Sequence, residues 1–207
     1  MAKGRLIKMI TLKDVFYKRD TKNILYDINL NIDNVDITII TGHNGAGKST
    51  LLKIMSGIIK PTSGVIHTQI DILSNSSFVF QKPIFFRRSV RENIGYALYA
   101  RDMPYTDNLI NEYLTHFKLS HLSDVLAQNI SLGEQQIISF IRAIITNPKI
   151  IFLDEPTSNL DRNYKEMMNN KISEISKKTK IFMITQNDTE TKMHTLNPII
   201  IENGKCL

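Results

Sequence analysis

Residues 42 to 50 read Gly42-His43-Asn44-Gly45-Ala46-Gly47-Lys48-Ser49-Thr50. This fits G-x-x-x-x-G-K-[ST], a pattern that carries meaning only where a strand hands over to a helix. Both flanks comply, with apolar Ile37 to Thr41 before it and Leu51, Leu52 and Met55 at helical spacing after it. In that setting the glycines let backbone N–H groups turn inward around phosphates, and Lys48 reaches the β- and γ-phosphates. The Ser49 hydroxyl can ligate Mg²⁺, and the helix N-terminus adds positive potential. A strand, a phosphate loop and a helix in this order confine the chain to α/β folds and predict a nucleotide site at its first helix.

The remaining periodicity agrees. Short apolar or alternating blocks at 10–17, 25–32, 37–41, 78–80, 150–153, 181–184 and 199–201 predict strands. Helical spacing follows residue 48 and recurs at 90–99, 109–117, 135–145 and 164–175, the last with Met167, Met168, Ile172 and Ile175 on one face. The alternation predicts a largely parallel sheet covered on both sides, in which Ile150-Ile151-Phe152-Leu153 is buried on both faces. Between Pro83 and Gln128 the helices have no strands among them. That predicts a helical lobe, 83–127, inserted into a nucleotide-binding core of 1–82 and 128–207 within a single domain, 1–207. A length of 207 residues with 42% hydrophobic and 22% charged residues suits one such core.

Several classes are excluded. The most apolar stretch, Ile137 to Ile145, is broken by Ser139 and Arg142 and falls short of the ~18–20 apolar residues of a membrane span. Met1-Ala2-Lys3-Gly4-Arg5 leads into mixed sequence instead of a secretory apolar core, so the cytosol is the expected compartment. Cys206 is the single cysteine, and histidines 43, 67, 116, 121 and 194 form no ligand-like cluster, so neither a disulfide nor a structural metal is expected. A net charge of +6 suits nucleic acid, an anionic membrane surface or a polyanionic nucleotide. The basic runs, Arg87-Arg88 with Arg91 and Lys177-Lys178-Lys180, are short and not interleaved with aromatics, so no nucleic acid partner is expected. The second run reads as a solvated helix end where cations suit the dipole.

About a hundred residues after the loop, Lys149 leads into four apolar residues and then Asp154 and Glu155. Parallel sheets place ligands at such strand ends. Asp154 can hold Mg²⁺ directly or through water. Glu155, one residue on, is placed to orient and deprotonate a water attacking a γ-phosphate. A strand ending in solvated acids is the alternative, and the phosphate loop argues against it.

Taken in order, these motifs resemble the ATP-binding subunits of ABC transporters over nearly the whole chain. In that resemblance Gln81, after the strand Phe78-Val79-Phe80, matches the glutamine that senses Mg²⁺ and the attacking water. Ile130-Ser131-Leu132-Gly133-Glu134-Gln135-Gln136 matches the signature sequence that opens a helix, and Ser158-Asn159-Leu160-Asp161 matches the D-loop. Tyr17 stands where the family stacks an aromatic on adenine, or is an ordinary strand aromatic. The resemblance implies a P-loop core with an antiparallel β subdomain, ATP and Mg²⁺ as ligands, and a head-to-tail dimer of ATPase subunits. In that dimer Ser131 and Gly133 meet the γ-phosphate bound by the partner, while Ser131 and Glu134 also read as a helix capping box. It further implies an integral membrane permease, a location on the cytoplasmic face of the inner membrane, and a periplasmic substrate-binding protein if the system imports. The segment from Gln81 to Ile94 most resembles importers for oxyanions such as tungstate or phosphate. Its Ile84, Phe85 and Phe86 form either an exposed docking surface or packing for the lobe's own helices.

Two positions depart from the pattern. Leu132 replaces the glycine that usually follows the signature serine, and Thr185-Gln186 replaces Thr-His, whose histidine contacts the γ-phosphate. Glutamine donates a hydrogen bond but carries no charge. These departures leave open a subunit that binds ATP, hydrolyses it weakly and acts as a regulatory module. A soluble DNA-repair or ribosome-associated relative would need a coiled coil or a second ATPase domain, for which 207 residues leave no room.

Overall fold

The structure is a computed structural model, and it describes residues 8–33, 36–194 and 198–207. The opening segment Met1 to Arg5 and the side chain of His194 lie outside the described residues. Two compact units divide the chain, one formed by residues up to Ser76 together with Lys180–Leu207, the other by Ser77–Thr179.

In the first unit, β1 (Lys8–Arg19) and β2 (Lys22–Asp33) form a long antiparallel hairpin, and β4 (Ser63–Thr68) pairs antiparallel with the other edge of β1. Ile10, Leu12, Val15, Leu25 and Ile28 are buried on this hairpin, and the steps of three from Leu12 to Val15 and from Leu25 to Ile28 fall at register shifts with Asp14 and Asp27 at positive φ. The parallel part of this unit is built on β3 (Ile37–Thr41), which lies between β7 (Lys180–Ile184) and β8 (Ile199–Glu202), both parallel to it. β9 (Lys205–Cys206) returns antiparallel beside β8. All five residues of β7 and the first four of β3 are buried, the continuous burial expected of strands covered on both faces. The α1 helix (Lys48–Met55) follows β3, and α7 (Asp188–His194) follows β7. A single turn, α2 (Ile72–Asn75), is capped by Asp71.

The second unit holds the neighbouring strands β5 (Ser76–Val79, all but its first residue) and β6 (Ile150–Asp154) with four helices. These are α3 (Val90–Tyr99), α4 (Asp107–His116), α5 (Leu132–Ile144) and α6 (Arg162–Ile175). The helical stretch expected at 83–127 lies wholly within this unit. Local chemistry sets the helix starts. Ser89 with Glu92, and Ser131 with Glu134, form complete capping boxes, while Thr106 and Asp161 accept from backbone N–H groups three residues on. The α5 helix is buried almost all round, and Phe140 meets Phe117 edge-on with ring centroids 6.2 Å apart.

One expectation is corrected. Lys180 does not belong to a solvated helix end: α6 stops at Ile175, and Lys180 opens β7 with only 6% of its surface exposed. Its ammonium donates to the Thr38 hydroxyl at 2.9 Å and lies 5.1 Å from the Phe182 ring centroid. Burial lowers its pKa to about 8, against the opposing pull of Asp36 and Asp33.

Candidate active site

The phosphate loop lies in the first unit. Gly42, Gly45 and Gly47 all take positive φ, at 140°, 81° and 107°. At Gly45, which is exposed, a Cβ would meet nothing within 4 Å. A glycine-rich turn of this kind, leading straight into a helix start, fits a polyphosphate. The α1 helix opens on Gly47, which brings no capping side chain, so its positive end faces the loop. Lys48 is buried, its ammonium donating to the carbonyls of Gly42 at 2.8 Å and His43 at 2.9 Å. Ser49 and Thr50 occupy the first turn of the helix, and Ala46 is buried beneath the loop.

Gln186 stands on the same unit, just past the end of β7, and its side chain reaches the loop: Nε2 donates to Asn44 Oδ1 at 2.7 Å. Tyr17 is half-buried on β1, in register with Leu25 of β2.

The acidic strand end lies in the second unit. Asp154 closes β6 and is buried; Glu155 follows with φ 49°, a left-handed conformation that turns its side chain away from the strand line. Ser158 fixes that turn by donating from its backbone N–H and its hydroxyl to the Glu155 carbonyl. Gln81 Nε2 donates to Glu155 Oε2 at 2.7 Å, so the two residues assigned to the attacking water meet directly.

The signature and D-loop meet here too. Ser131 accepts from the Glu134 N–H, and the Glu134 carboxylate accepts from the Ser131 N–H and hydroxyl. A Cβ at Gly133 would lie 3.1 Å from the Asn159 carbonyl, so the glycine admits the D-loop backbone against the helix start. Asp161 caps α6 through Tyr164 N at 2.9 Å. The Tyr164 phenol is pushed up by burial and then by the negative charges of Glu134 and Asp161, which marks how closely the two motifs approach. Leu132 is 51% exposed at the first helical position.

In the segment after Gln81 the two readings divide residue by residue. Ile84 is 69% exposed and Phe86 47%, whereas Phe85 is half-buried with the Arg142 guanidinium 5.0 Å from its ring centroid. Phe86 meets Tyr96 edge-on beside a cavity of about 490 Å³ lined by Arg88, Glu92, Gly95, Tyr96, Tyr99 and Tyr105. Sequence reasoning missed the residue that shapes this surface. Asn93 is fully buried and spends both ends of its amide on residues 86–89, accepting from Phe86 N and donating to the carbonyls of Phe86, Arg88 and Ser89. The available signal was an amide on the apolar face set by Val90, Ile94 and Leu98. Glu190 was missed as well: it is buried on α7, accepting from Thr185 Oγ1 at 2.6 Å.

The sequence pattern of the family described as "ABC transporter" matches residues 25–158. The chain belongs to that family. Among curated ABC proteins it is 33% identical to the tungstate uptake system ATP-binding protein TupC of Peptoclostridium acidaminophilum, over 85% of this chain and 86% of that protein. It is 31% identical to the Fe(3+) ions import ATP-binding protein FbpC of Escherichia coli, over 96% of this chain. The chain spans about 60% of the length of the iron-import relatives. Among solved structures, a dimeric bacterial ABC transporter cassette superposes with a TM-score of 0.85 at 24% identity, covering 96% of each chain. A dimeric post-hydrolysis state of an ATP-binding cassette bound to ADP and Pi superposes with a TM-score of 0.83 at 25% identity, again over 96% of each chain.

Proposed function

We propose that this chain binds and hydrolyses ATP as one subunit of a head-to-tail dimer and thereby drives a separate membrane permease. The observation that carries the reading is Glu155, a carboxylate at the end of a buried strand with its side chain held by Gln81. In this reading the Gly42–Thr50 loop and Lys48 bind the phosphates, and Glu155 takes a proton from the water that Gln81 helps to orient. Ser49, Gln81 and Asp154 would hold Mg²⁺, which when bound neutralises charge developing on the phosphate oxygens. Tyr17 supplies the adenine contact. Ser131, Gly133 and Asp161 serve the nucleotide of the partner subunit, where the α5 helix end offers a hydroxyl and backbone N–H groups to an anion.

The relatives favour import, since TupC and FbpC are both named for uptake, of tungstate and Fe³⁺. Their names support a cargo class of metal ions and oxyanions, with the cargo itself read by the membrane subunits and a periplasmic binding protein. Among the described residues no helix is long and apolar enough to cross a membrane. In this reading the subunit meets the cytoplasmic face through the permease, for which exposed Ile84, Phe86 and Tyr99 offer an apolar surface. Glu155 and Gln81, both present and joined, argue against the weakly hydrolysing regulatory module that Leu132 and Gln186 left open.

Glu155→Gln tests the assignment. The amide keeps the shape and cannot accept a proton from water, so ATP affinity should hold while phosphate release falls at least ~10²-fold, the scale of losing a general base. Unchanged release from the variant removes Glu155 from the chemistry.

A further inference from the structure

Gln186 replaces a residue whose family role is direct contact with the γ-phosphate, yet its side chain is directed to a loop residue. The backbone on either side of it is closely held. Thr185 is buried, its N–H on the Ile40 carbonyl, its hydroxyl donating to Glu190 Oε2 at 2.6 Å and accepting from Asn187 N at 3.1 Å. Asn187 Oδ1 in turn accepts from Thr189 N at 2.9 Å and Glu190 N at 3.4 Å. A turn fixed at both neighbours presents Gln186 to the phosphate loop in a defined direction, and the side chain spans 142 positions of sequence to reach Asn44 Oδ1 at 2.7 Å. Asn44 precedes Gly45, where a Cβ would meet nothing within 4 Å, and its own carbonyl lies 2.9 Å from His43 Nδ1.

We propose that Gln186 is a positioning residue that acts through Asn44, holding the Asn44 side chain and the loop segment before Gly45 in the shape that receives the phosphates. The chemistry suits the task. An amide donor facing Oδ1 fixes which end of the Asn44 amide meets Gln186, and so leaves the Asn44 NH₂ as a donor for an anion in the loop. A neutral pair of this kind needs no protonation step and operates at any pH where the fold stands. The proposal rests on the reading of the loop as an ATP site.

A double-mutant cycle tests it, using Asn44→Ala, Gln186→Ala and the double variant, with MgATP affinity and steady-state phosphate release measured for each. If Gln186 acts through Asn44, Gln186→Ala weakens MgATP binding about 3- to 10-fold, the effect of one lost neutral hydrogen bond, and has no further effect once Asn44 is alanine. Contact of Gln186 with the phosphate itself would make the two losses multiply, which overturns the proposal. The exchanged pair Asn44→Gln with Gln186→Asn keeps the summed side-chain length and should recover affinity lost in either single exchange; failure to recover any also counts against it. Unfolding midpoints of all variants should match the wild type, since both residues are exposed. A wild-type chain that does not bind MgATP refutes the function proposed above and this inference with it. Normal binding with multiplicative losses refutes only the inference.

Discussion

Lys180→Met should abolish a rise in stability between about pH 8 and pH 10.5. Lys180 has its pKa lowered from 10.5 to about 8, chiefly by burial. Across that window the unfolded chain keeps the proton while the folded chain has released it, so the unfolded state binds more protons and stability climbs with pH. Below pH 8 both states are charged, and the full cost of burying the ammonium is present. At ~1.4 kcal/mol per pKa unit the shift is worth about 2 to 3 kcal/mol. Methionine has a similar length and no charge. It gives up the hydrogen bond to Thr38 and the longer one to the Asp33 carbonyl, each worth about 1 kcal/mol, so the two proteins should differ little at pH 7. By pH 10 the wild type should be the more stable by about 2 kcal/mol. The assay is the urea midpoint of both proteins at intervals from pH 7 to 10.5. Cys206, Tyr105, Tyr113 and Tyr164, whose pKa values burial raises, lose stability as pH rises, but they do so equally in both proteins and cancel from the difference. Parallel curves for wild type and variant across the window would refute a buried ammonium at this position.

Two further outcomes are expected. Mixing Ser131→Arg subunits with Lys48→Ala subunits gathers both defects at one composite site and leaves the other whole, so phosphate release should partly return; a mixture as inactive as its parents, with heterodimers present by native mass spectrometry, rejects action across the dimer. Gly133→Ala places a methyl 3.1 Å from the Asn159 carbonyl, so the D-loop must yield by a few tenths of an ångström: phosphate release should drop several-fold while MgATP affinity is kept, and full activity would show that the close approach is immaterial.

What the sequence made legible was what local pattern encodes. The strand before the phosphate loop, Ile37–Thr41, and the helix Val90–Tyr99 end where periodicity places them, because each is bounded by its own chemistry, a glycine-rich turn in one case and a capping box in the other. The capping box at Ser131 was readable for the same reason, since its partners are three residues apart. β4 was not readable. Five of its six residues are exposed, so an edge strand held only by β1 shows no alternation of burial. Lys180 misled because three lysines within four residues look alike in sequence, while the chain between Ile175 and Lys180 leaves a helix surface and enters a buried strand.

The candidate site divides along the same line. Motif residues were found one by one, but their partners were not, because each partnership spans the fold: Gln81 to Glu155 across 74 positions and Gln186 to Asn44 across 142. This bears on how the departure at 186 is judged. From sequence, a glutamine in place of histidine is the loss of a chargeable donor at the γ-phosphate, and slower hydrolysis follows. With its amide on Asn44, the same glutamine has taken work on the loop itself. A histidine placed there can still donate one N–H to Asn44, whereas alanine cannot. Gln186→His should therefore keep or raise phosphate release and Gln186→Ala should lower it several-fold, with the permease present in both assays. An alanine variant that turns over like the wild type would take Gln186 out of the mechanism, whichever contact it makes.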